Sequence, residues 1–127
     1  MTDPIEIELP LHKGKAPLTM NQRLHFREEA RRKRTVRETV GWKARALKLG
    51  RHNHISVQLH YATGDNRGRD EDNLVATQKP AVDGLVDAGL IPNDTPDHLT
   101  WWAPAIHNGP GKRRLWLAIH ITEETHT

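Results

Sequence analysis

Apolar and polar residues alternate near the start of the chain, where Ile5, Ile7, Leu9 and Leu11 are separated by Glu6, Glu8 and Pro10. A period of two belongs to a strand with one buried face, and Pro10 places it at a sheet edge or at the strand's end. After a loop containing Gly14, Pro17 and Asn21 the period changes. From about Leu24 to Leu49 there is no proline, and Phe26, Val36, Val40, Ala44 and Leu47 fall on one side of a helix of 3.6 residues per turn. Gly50 is its expected C-terminal cap. Ile55, Val57, Leu59 and Tyr61 then alternate with Ser56, Gln58 and His60 as a second strand, and Gly64 and Gly68 mark an irregular loop after it.

A second helix is predicted over about Asn73 to Ala88, with Leu74, Ala81, Leu85 and Ala88 on one face and Gly89 as its cap. Pro80 conflicts with a helix interior, where it removes a hydrogen bond at a cost of about 3 kcal/mol. The expectation is a kink, or a regular helix that begins near Thr77 or Gln78. Leu99 to Ala103 and Arg114 to Thr122 read as two further strands, with Asn108 to Lys112 as a candidate hairpin loop between them. The order β-α-β-α-β-β implies an α+β fold, a mixed sheet with two helices, and 127 residues suit a single domain over 1–127.

Composition narrows the chemistry. Cysteine is absent, which excludes disulfides and thiolate catalysis and leaves oxygen and nitrogen groups. Asp3, Glu6 and Glu8 stand where a signal peptide needs a basic region, and no apolar run approaches a membrane span, so a cytoplasmic protein without a membrane partner is expected. With 35% apolar residues the core is modest, and dimerisation is one way to bury more surface.

The net charge of +3 conceals a division: thirteen Lys or Arg face three Glu between Lys13 and Arg51, whereas eight acids face three bases between Asp65 and Leu99. Arg27, Arg31, Arg34 and Arg45 share the polar side of the first helix. A basic surface beside clustered carboxylates suits a polyanion held against a cation-dependent site, although a solvated helix and unrelated surface acids give the same counts.

The carboxylates begin in Arg69-Asp70-Glu71-Asp72-Asn73-Leu74 and continue through Asp83, Asp87 and Asp94. In an extended segment Asp70 and Asp72 project from one face. Two such charges 4 Å apart repel by roughly 4 kcal/mol at an effective dielectric near 20, so the pair asks for a counter-charge. Oxygen ligands favour a hard ion, Mg²⁺ first and Mn²⁺ as a substitute. Lys79 is placed to neutralise charge developing on a phosphate, with Asp83 one turn on to hold its ammonium group.

The segment from Arg69 to Asp94, RDEDNLVATQKPAVDGLVDAGLIPND, resembles the signature of the RusA family of Holliday junction resolvases of bacteria and their phages. The resemblance implies a RusA-like endonuclease domain in which Asp70, Asp72 and Asp94 bind the metal, Lys79 is the catalytic lysine and Asn73 braces the turn. It further implies a homodimer that cuts opposed strands of a four-way branched DNA inside a bacterial host cell, in recombination or repair. Candidate DNA contacts are Asn21, Arg27, Arg31, Arg34, Arg67 and Arg69. Two departures stand out: Asn93 replaces the first member of an acidic pair, and Val75 to Gln78 lengthen the path to Lys79. The alternatives are a non-catalytic branched-DNA binder with a structural metal and a broader flap or fork nuclease. The nine histidines show no spacing of a closed zinc site. Trp42 and Trp116 are assigned to packing, and Trp101 and Trp102 to core plus interface.

Overall fold

The long strand β2 (Ile55–Ala62) organises the sheet by pairing along both its edges. On one side β5 (Arg114–Ile121) runs antiparallel to it through eight registered pairs, from Ile55 with Ile121 to Ala62 with Arg114, and β1 (Ile5–Glu8) adds antiparallel to β5. On the other side β3 (Leu99–Trp101) and β4 (Ala105–His107) both lie parallel to β2. Helices α1 (Phe26–Leu47) and α2 (Val75–Asp87) complete a single-domain α+β fold with a mixed sheet. The computed structural model describes residues 3–12, 15–18, 25–65 and 74–122.

The expected hairpin across Asn108 to Lys112 does not form. That segment joins β4 to β5, which lie on opposite edges of β2. An eight-residue partner satisfies more of β5's backbone groups than two three-residue strands can. The strand expected from Leu99 to Ala103 forms over its first three residues as β3, and a further strand that was not expected, β4, follows Pro104, which has no N–H and sits in the break. Two glutamines bridge the gap: Gln78 Oε1 accepts from the Leu59 N–H at 3.3 Å, and Gln58 Nε2 donates to the Ala103 carbonyl at 2.8 Å.

Alternation decides which sheet face is covered. Ile55, Val57, Leu59 and Tyr61 of β2 and Leu115, Leu117 and Ile119 of β5 are buried in one cluster with Val36, Val40 and Ala44 of α1 and Ala81, Val82 and Leu85 of α2. Both helices therefore lie on this face. They approach closely at Gly41 and Gly84: a Cβ built on Gly84 would stand 2.4 Å from the Arg37 carbonyl oxygen and 2.9 Å from the Gly41 nitrogen. Only hydrogen fits there.

Several local expectations are corrected. Phe26 and Leu47, placed on the apolar side of α1, are exposed, because the 22-residue α1 outruns the 13-residue α2 beside it. Lys48, with φ 52°, closes α1 in place of Gly50. Gly89 does end α2 at φ 82°, its N–H bonded to the Val86 carbonyl. Helix α2 starts at Val75 and continues through Pro80, earlier than Thr77 or Gln78. Pro80 lies in its second turn, so the only bond forfeited is the one its own N–H would make to the Ala76 carbonyl. The Thr77 hydroxyl fastens the same turn to the Leu18 carbonyl at 2.6 Å. Trp42, Trp101 and Trp102 are exposed, so neither the packing role of the first nor a core position for either of the pair is observed.

Candidate functional site

Lys79 is the hub of the described part of the site. Its Nζ donates to Asp83 Oδ1 at 2.7 Å, one helical turn away, and to Asp94 Oδ2 at 2.5 Å, from the loop after α2. The first contact is local to the helix; the second closes fifteen residues of chain. Two anchors fix the turn that carries Lys79, namely the buried Thr77 bonded to Leu18 and the buried Gln78 bonded to β2. The Asp83 carboxylate and then Asp94 raise the lysine's pKa above its ordinary value, and the lysine in turn holds the Asp94 carboxyl below its usual range. At neutral pH the pair is an ammonium against a carboxylate.

Asn93 has a bracing task. Its Oδ1 accepts from the Thr95 N–H at 3.0 Å and the Thr95 hydroxyl at 2.6 Å, an Asx turn that sets the bend on which Asp94 sits. Nearby, His98 Nδ1 contacts the Asn53 carbonyl at 2.7 Å, so this nitrogen carries the proton in the neutral ring.

Of the residues singled out from the sequence, the structure unites Lys79, Asp83 and Asp94. Asn21, Arg67, Arg69, Asp70, Asp72 and Asn73 lie outside the described residues. Among the described residues no group of three or more His, Asp or Glu is arranged to hold a metal ion. Of the expected ligands Asp94 alone belongs to them, and its oxygen chemistry is of the kind a hard cation takes.

Arg27, Arg31 and Arg34 are exposed on α1 as the pattern requires, but their charge is partly balanced. Glu28 bonds both Arg31 and Arg32, and the Arg32 bond is the largest cause holding its carboxyl below the usual range. Arg37 forms a two-point contact with Asp87 at 2.6 and 2.8 Å, which keeps that carboxyl low as well. Arg45 bonds the Asp87 carbonyl. Arg34 has no acidic partner among the described residues.

A second polar assembly went unread in the sequence. On the sheet face away from the helices, His60 stacks on Trp116 with centroids 5.0 Å apart and planes 7° apart, and His107 stacks on both. His60 Nδ1 and His107 Nε2 are 2.9 Å apart. Arg114 covers Trp116 at 4.2 Å and pairs with Glu8 and Glu6. The three rings come from three strands, and no spacing along the chain announces their meeting.

No family model matches the chain, and no curated protein matches it. No described helix is long and apolar enough to cross a membrane.

Proposed function

We propose that the protein is a Mg²⁺-dependent, structure-selective endodeoxyribonuclease that resolves four-way branched DNA by paired hydrolytic nicks, as the likeness to the RusA family suggests. The observation that carries this reading is Lys79 held between Asp83 and Asp94 beside the exposed cations of α1. Asp94, with Asp70 and Asp72, would hold the cation, which when bound polarises a phosphoryl oxygen and lowers the pKa of water. Lys79, already an ammonium and already aimed at Asp94, offsets negative charge at a bound phosphate. Arg27, Arg31 and Arg34 contribute affinity that falls as salt rises. A four-way junction has paired equivalent strands, and a two-fold homodimer matches that symmetry.

Cleavage of a synthetic four-way junction with Mg²⁺ tests the proposal. Wild type should nick opposed strands, and Asp94→Asn should lose at least about 100-fold, the upper end of what even a supporting group around a metal contributes. Absence of nicking by wild type, or undiminished nicking by Asp94→Asn, refutes it.

A further inference from the structure

Between the N-terminal halves of α1 and α2 lies an open groove of about 710 Å³. Its size falls in the range of about 300–1,000 Å³ in which small ligands are held. Ala30 of α1 and Val75, Ala76 and Pro80 of α2 supply its apolar lining, and Val75 is 42% exposed. Charged side chains join them: Lys33 is compensated by Glu29 at 3.0 Å and Lys79 by Asp83, whereas Arg34 has no acidic partner among the described residues. Arg37 is likewise paired, with Asp87 outside the lining, so Arg34 carries the lining's uncompensated charge among the described residues.

Apolar lining with an uncompensated guanidinium suits a ligand that has both an apolar ring and an anionic oxygen. A groove meant only to track duplex phosphates would need the cations and not the exposed Val75. In duplex DNA the base faces are stacked and closed to such a surface, whereas unpaired nucleotides at a branch point are displaced at the least cost. Lys79 lies on both the groove and the Asp94 contact, so a nucleotide held here adjoins the candidate site.

We propose, building on the nuclease reading, that this groove holds one unstacked nucleotide of branched DNA, with its phosphate at Arg34 and Lys33 and its base or sugar against Ala30, Val75 and Ala76. The groove is then what distinguishes a branch from a linear duplex.

The test is fluorescence anisotropy of the full chain in EDTA, with a four-way junction and a linear duplex of equal length as probes. Ala30→Trp fills the groove from an exposed helix position. It should weaken junction binding roughly tenfold, the equivalent of one modest apolar contact, and leave duplex binding within about twofold. Val75→Ser, at a second exposed site, should show the same selective loss should Ala30→Trp reduce the melting temperature. Arg34→Glu should weaken binding to both probes and lower the salt dependence by about one phosphate contact. Unchanged junction binding in both groove variants, or equal losses on junction and duplex, overturns the proposal. Because binding is measured without a divalent ion, a wild type that fails to cleave junctions in the separate Mg²⁺ assay refutes the nuclease reading and leaves a selective binding loss intact. Normal cleavage with unaltered binding in the variants refutes the groove alone.

Discussion

Replacing Gly84 by alanine tests the helix contact on which the placement of Lys79 and the basic side of α1 depends. In an isolated helix the change would stabilise by about 1 kcal/mol, since alanine loses less backbone freedom than glycine. Here the new methyl would meet the Arg37 carbonyl oxygen at 2.4 Å, and ordinary contact at 3.4 Å requires the two backbones to part by about 1 Å. Inserting a methyl into a packed contact costs about 1–3 kcal/mol, and a clash with backbone on a rigid helix belongs at the upper end. The expected net loss is about 1–2 kcal/mol, or roughly 4–8 °C in Tm for a domain of this size. Gly41→Ala is the control: its methyl would meet the Gly84 oxygen at 3.2 Å and Cα at 3.7 Å, so propensity and crowding nearly cancel. Thermal unfolding followed by circular dichroism, at one protein concentration because association shifts Tm, measures both. A Gly84→Ala protein that melts at or above wild type, or a Gly41→Ala protein that loses more, would refute the close crossing.

Two further predictions follow from electrostatics. The Lys79 pKa is raised by Asp83 first and Asp94 second, so its ammonium contribution is full below the unfolded lysine pKa and is lost only as pH rises through the higher folded value. NMR titration of its ε-carbon should show a midpoint above the ordinary 10.5 that moves back down in Asp94→Asn; a wild-type midpoint at or below 10.5 would contradict the bridge. The His60 pKa is lowered by burial first and by His107 second, with Glu6 opposing and His120 adding, while Arg114 and Glu8 border the same stack. The unfolded ring then takes a proton before the folded one, so stability is full above the unfolded pKa near 6.5 and declines as pH falls from there towards the folded pKa. Tm between pH 7.5 and 5 should fall less in His60→Gln than in wild type, and identical slopes would exclude His60 as a contributor.

The sequence alone was sufficient for features governed by short-range periodicity. The alternation of Ile55 to Tyr61 and of Leu115 to Ile119, the proline-free helical stretch with Val36, Val40 and Ala44 inward, and Gly89 as a cap each follow from a local rule about period or φ. The pairing of Lys79 with Asp83 was legible for the same reason, since residues four apart on a helix are neighbours. Tertiary structure decided what lies across the chain. It set β5 between β1 and β2, because a long ladder satisfies more backbone than a hairpin to short strands, and it added β4 beyond Pro104, where no strand was expected. It exposed Phe26 and Leu47, because the reach of a neighbouring helix is not written in either helix's own period. It brought Asp94 to Lys79 and His60 to His107 and Trp116, meetings that depend on where separate elements dock and that no spacing of residue types encodes.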